Sequence, residues 1–185
     1  MTKLQIRFTG VWMLLFAALL VTGCSKSDVE GEKDDLQGYI KVTVDGEQLH
    51  MPYLAKMEEK ENQTWNLNAL TTGSGNSLKG KKGFTINIRD AKGALSVKTY
   101  KLDDGSCRMS ASFTEFLDDV PNTYHWTAST GSALSGDSFT LTIISIENGI
   151  AKGKFSGKLR VTSSGNLETF REVKSGEFLF PYKKK

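Results

Sequence analysis

The chain of 185 residues is poor in the residue types that announce chemistry or staple a fold: two cysteines, two histidines and three prolines. The cysteines are Cys24 and Cys107. Once Cys24 is assigned to the processing signal described below, Cys107 stands alone, so an internal disulfide is excluded and stability must come from an ordinary hydrophobic core. Cys107 lies in a strand-like run and reads as a small buried hydrophobe. His50 and His125 are far apart, each inside a strand-like run, and no Cys and His spacing suggests zinc. Serine hydrolysis needs a nucleophile on a strained turn with a histidine as base. No Gly-x-Ser-x-Gly is present, and Gly153 to Gly157 has the wrong spacing. Asp103-Asp104 and Asp118-Asp119 read as solvated turn formers, and neither continues into a calcium loop. Gly73 to Ser77 is Gly-rich but opens no helix, so it is a linker and not a phosphate cradle. With no catalytic constellation, no metal and no cofactor indicated, the chain does not read as an enzyme.

Charge of one sign is also lacking. The formal net charge is +3, and cations alternate with acids and threonines instead of forming a basic stripe with interleaved aromatics, which excludes a nucleic-acid partner. The closing Lys183-Lys184-Lys185 reads as a solvated tail.

Only one long apolar run exists, the eleven residues Val11 to Val21, preceded by Lys3 and Arg7 and ending in small residues. At 1.5 Å per residue it spans about 16 Å, roughly half a hydrocarbon core, so it is a secretion signal and not a permanent transmembrane helix. Its end, Val21-Thr22-Gly23-Cys24, resembles the lipobox of bacterial lipoproteins. The resemblance implies cleavage between Gly23 and Cys24, a diacylglycerol on the Cys24 sulfur and acylation of the new amino terminus. Two or three acyl chains make a durable anchor where one does not. The expected organisation is a signal peptide at 1–23, an acidic tether with the lipidated Cys24 at 24–36, and a single domain at 37–185. Asp28, Glu30, Glu32, Asp34 and Asp35 of the tether resemble the surface-export signal of lipoproteins in Bacteroidetes-type bacteria. The expected location is therefore the cell envelope, anchored to the outer membrane and facing either the periplasm or the outside.

From Gln37 onward the signal is alternation with a period of two. Ile40, Val42 and Val44 share a face, Asp45-Gly46 supplies a tight hairpin turn, and Leu49 and Met51 return, with Pro52 ending that strand. Lys56 to Glu61 lacks an apolar stripe and reads as loop. Trp65, Leu67 and Ala69 predict a strand over 64–71. Phe84, Ile86 and Ile88 predict another, with Leu95, Val97 and Tyr100 leading back after a turn at Asp90 to Gly93. Met109, Ala111 and Phe113 form a further face, as do Tyr124, Trp126 and Ala128. Phe139, Leu141 and Ile143 alternate, Ile144 and Ile146 shift phase as a bulge requires, and Asn148-Gly149 is a second strong hairpin turn. Ile150 to Thr162, Leu167 to Val173 and Glu177 to Tyr182 complete the series. Short strands at this spacing predict an all-β, antiparallel sandwich or barrel-like domain. The text Gly-Lys-Phe-Ser-Gly at Gly153 to Gly157, followed by Gly176-Glu177-Phe178, is similar to the ending of small all-β lipoproteins of Bacteroidetes-type bacteria.

The expected function is that of a lipid-anchored envelope protein with a non-enzymatic binding or structural domain. Its partners are the membrane, through Cys24, and a glycan, a small apolar ligand or an envelope protein. Two alternatives differ from it: a lipocalin-like carrier of a small apolar ligand, which needs a hollow interior, and a surface glycan-binding accessory protein, which needs exposed rings. Trp65, Tyr124 and Trp126 are the candidate ligand-contacting aromatics, although their phase with Leu67, Ala69 and Ala128 also fits core packing.

Overall fold

The computed structural model describes residues 37–71, 77–117, 123–131, 136–161 and 169–182, all within the unit Leu36–Lys185. They form eleven antiparallel strands: β1 Tyr39–Val44, β2 Glu47–Met51, β3 Tyr53–Glu59, β4 Trp65–Leu70, β5 Lys82–Asp90, β6 Thr99–Lys101, β7 Cys107–Phe116, β8 Thr123–Ser129, β9 Ser138–Glu147, β10 Ile150–Val161 and β11 Phe170–Pro181. Nine follow one path, β2-β1-β11-β10-β8-β7-β5-β4-β3. Its two ends, β2 and β3, are consecutive in the chain and separated only by Pro52, so the sheet curls into a nearly closed, barrel-like wall. Proline has no N–H to give to a ladder, which suits the corner where the run leaves β1 and joins β4. The strand β10 forks the sheet: Ile150 to Lys158 pair with β9, and Arg160 and Val161 pair with β8. β9 in turn carries the short β6.

Both strong turn signals form the hairpins expected of them. Asp45 and Gly46 have φ of 48° and 89°, and Asn148 and Gly149 have φ of 52° and 73°, the two positive values that let a two-residue turn follow the strand twist. The phase shift on β9 is a bulge: the register slips beside Gly153, and Ile144 is left 54% exposed.

Three expectations are corrected. Lys56 to Glu59 is not loop but part of β3, paired with β4, and only Glu61–Gln63 forms a 3-10 turn. Met57 alone is buried there, and the charges lie along the strand, where Lys56 and Lys60 hydrogen-bond Glu58 and hold its pKa down at about 2. The residues after β5 do not return along it. Only Thr99 to Lys101 are strand, and they pair with β9, while Val97 is exposed. The reason is Asp90, whose carboxylate draws Lys98 and Tyr100 over the end of the wall. The last two predicted strands are one, β11, bulged near Val173.

The inward positions fill the interior with rings. Phe84 lies 4.8 Å from Phe155, 6.3 Å from Phe139 and 6.4 Å from Phe113, centroid to centroid, and Phe113 continues to Trp126 at 5.8 Å. Burying each such ring stabilises the fold by roughly 1.5–3 kcal/mol. The Gly and Phe pattern of the C-terminal third has a local cause. Phe155 stands opposite Gly176, and Gly153 stands opposite Phe178, across β10 and β11. Each ring lies over the facing glycine, and a Cβ at Gly153 or Gly176 would overlap it. This reciprocal cover, known as aromatic rescue of glycine, fixes the register of the two strands.

Candidate functional site

A groove of about 800 Å³ crosses the outer faces of β2, β1, β11, β10 and β9. Strand pairing sets its residues in rows. One row runs His50, Lys41, Glu177, Lys154, Thr142, each directly opposite the next. Beside it stand Gln48, Thr43, Ser175, Ser156 and Thr140. Lys41 pairs with Glu177 at 3.3 Å and lies 4.8 Å over the Tyr39 ring, which meets His50 edge to face at 5.9 Å. Ser175 donates to Thr43 at 3.4 Å, while Thr142 bonds Thr99 of β6 at 3.0 Å. Lys154 and Lys174 carry no ion pair among the described residues. Such a surface offers hydroxyl, amide and ammonium groups together with the Glu177 carboxylate and the His50 imidazole.

The sequence holds half of this information. Lys41 and Thr43, Gln48 and His50, Thr140 and Thr142, and Lys154 and Ser156 are the outward members of strands whose inward members were legible. That β1 lies against β11, joining the first strand to the last, has no local signature.

The predicted aromatics separate into two environments. Trp65 (3% exposed) stacks on Tyr182 at 5.0 Å, and Trp126 (4%) is covered by Phe113 and by the Arg171 guanidinium at 4.5 Å. Neither indole presents a face to solvent. Tyr124 is 48% exposed and 5.9 Å from Trp126, so it is the only one of the three set at the surface. Cys24 and Gly23 lie outside the described residues, as do Asp118-Asp119 and Gly73 to Asn76.

Both ends of the interior carry charge. At one end Asp90, 2% exposed in its side chain, accepts from Lys98 Nζ at 2.6 Å, from the Tyr100 hydroxyl at 2.8 Å and from the Lys92 N–H at 2.7 Å. Burial alone would push Asp90 up. The bonds from Lys98, Lys92 and Tyr100 outweigh it and leave the carboxyl below its usual range. The Asp90 hydrogen bond raises Lys98, and burial raises Tyr100. Cys107, opposite Asp90, is buried and its thiol is pushed up by that burial, the opposite of an activated nucleophile. At the other end an alternating chain runs Asp45, Arg171, Glu115, Lys82, Glu47, with Arg171 2.8 Å from Asp45 and 3.7 Å from Glu115, and Lys82 3.9 Å from Glu115 and in contact with Glu47.

Among the described residues no group of three or more His, Cys, Asp or Glu could hold a metal ion, and no helix is long and apolar enough to cross a membrane. His125 bonds Thr114 at 2.9 Å in β8, and Asp104 caps its own turn through the Ser106 N–H at 2.8 Å. Comparison of the chain with protein-family models, with curated proteins and with solved structures found no match.

Proposed function

We propose that the chain is a lipid-anchored protein of the bacterial envelope, fastened through Cys24, whose barrel-like domain works by binding and not by catalysis. Its binding face is the outer groove across β2, β1, β11, β10 and β9, and the ligand is polar and hydroxyl-bearing, an envelope glycan or a protein surface of that character. One observation carries this reading: the interior is occupied by the Phe84, Phe113, Phe139 and Phe155 rings, whereas the groove is open and lined by hydrogen-bonding groups. An apolar carrier needs that interior volume empty. A glycan platform built on Trp65 and Trp126 needs rings that are here buried.

The test has two arms. Full chain with Lys154→Glu and Thr142→Arg is compared with the parent on an array of envelope glycans and by pull-down from envelope extracts. A loss of tenfold or more in a parent interaction supports the groove, and equal binding removes it. Separately, Cys24→Ala should abolish incorporation of labelled fatty acid and move the protein out of the membrane fraction. A mutant still lipid-bearing and membrane-bound would sink the anchor.

A further inference from the structure

A second outer surface carries an unneutralised pair of cations. Arg89 on β5 and Arg108 on β7 stand directly opposite one another in the antiparallel register, and both are exposed. Directly opposed like charges destabilise a strand pair. Neither guanidinium has an ion-pair or hydrogen-bond partner among the described residues. They border a groove of about 570 Å³ whose other walls include Asn87, Ser110, Ser129 and Thr130.

The groove is ordered on the donor side. Asn66, Asn87, Ser110 and Ser129 form one cross-strand row over β4, β5, β7 and β8. Asn66 Nδ2 donates to Asn87 Oδ1 at 2.7 Å, and Asn87 Nδ2 donates to Ser110 Oγ at 3.4 Å. Since Ser110 accepts from Asn87, its own hydroxyl proton is left to point away from that bond. Two acids flank this row and neither pairs with an arginine: Asp137 accepts from the Ser129 backbone N–H at 3.4 Å, and Glu58, directly opposite Asn66, is held by Lys56 and Lys60. A planar carboxylate satisfies one guanidinium fork with its two oxygens. Two forks on neighbouring strands together with a hydroxyl call for a group with three or more acceptor oxygens.

We propose that Arg89 and Arg108, with the Ser110 hydroxyl, clamp a tetrahedral oxyanion, the phosphate or sulfate ester of an envelope lipid or glycan. The site is separate from the outer groove and stands or falls without it; that the ester belongs to the envelope rests on the anchoring through Cys24 proposed above.

Full chain in neutral detergent is melted by scanning calorimetry at fixed ionic strength with inorganic phosphate, glucose 6-phosphate, glucose 6-sulfate or dihexanoyl phosphatidic acid below its micelle concentration. The parent should show a saturable rise of roughly 3 to 6 °C at ten times Kd. Arg89→Gln and Arg108→Gln should each lose that rise while melting at or above the parent without anion, because the like-charge contact is gone. Ser110→Ala should weaken binding several-fold with its basal melting unchanged. A response to phosphatidic acid assigns the ester to a lipid, and a response to the sugar esters assigns it to a glycan. An equal rise in the arginine variants, a response to inorganic phosphate alone, or no response to any ligand overturns the proposal.

Discussion

The two ends of the interior use charge in opposite ways, although strand β5 supplies a charge to each, Lys82 at one end and Asp90 at the other. The Asp90 end holds one carboxylate almost out of water and surrounds it with three donors. The Lys82 end strings five charges together, but the side chains are about a quarter to a half exposed. Five half-wet charges are expected to contribute less than one dry carboxylate. Exposed pairs give up little solvation and gain about 0–1 kcal/mol each, whereas breaking a buried, fully hydrogen-bonded charge strands its partners. Burial, more than the number of ion pairs, decides which end is expected to stabilise the fold more.

The sharpest way to break that contrast is Asp90→Ala. Lys98 is a third exposed and can turn to solvent, but the buried Tyr100 hydroxyl loses its 2.8 Å acceptor and keeps only the longer contact to the Ser96 carbonyl at 3.3 Å. The expected loss is about 3 kcal/mol in chemical unfolding. A loss below that of Arg171→Ala would invert the comparison. Acid should single out the same end. Asp90 titrates below its unfolded value near 3.9, so its contribution is present above about pH 4 and is lost as pH falls through the depressed folded value. Lys98 and Tyr100 are raised, so theirs is complete below about pH 10 and is lost as pH climbs through the higher folded values. Asp90→Asn should flatten the acid limb in melts between pH 2 and 5. Glu58 also titrates low, but at the surface, so high salt should remove its share and leave that of Asp90.

Smaller effects test each end in turn. Tyr100→Phe deletes the bond donated to Asp90 and the one accepted from the Ser96 N–H, and should cost about 2 kcal/mol, insensitive to salt. Arg171→Ala removes two ion pairs and the cation over Trp126 and should cost about 1 kcal/mol. Here about half should vanish in 1 M salt, because the pairs are screened and the ring contact is not. Lys82→Ala is expected to stay within about 0.5 kcal/mol. If the salt dependence appeared at Tyr100 instead of Arg171, the assignment of dry and wet ends would be reversed.

Much of this wall was legible in the residues. Ile40, Val42 and Val44, or Phe139, Leu141 and Ile143, mark inward faces by alternation alone, and Asp45-Gly46 and Asn148-Gly149 mark hairpins because two successive positive φ values restrict the residues that fit. Where the reading failed, a distant contact had overridden the local pattern. Lys56 to Glu59 is strand because β4 supplies a ladder, not because its own residues favour one. Leu95 to Tyr100 turns away from β5 because one carboxylate, Asp90, collects partners from the segment that follows it. Neither the outer groove nor the arginine pair was visible for a related reason. Each is a juxtaposition of outward residues from different strands, and alternation fixes which face a residue takes but not which strand lies beside it.

The sequence by itself determined that the domain is built of short amphipathic strands, with two hairpins fixed by turn chemistry and a core of Phe, Ile and Leu on one side of each strand. Pairing order, the corner at Pro52 that nearly closes the wall, the burial of both tryptophans and the assembly of the two outer grooves were decided only in three dimensions. The division follows from range: φ preferences and side-chain period act between neighbours along the chain, whereas strand order depends on which faces, brought together from across the whole chain, exclude water best.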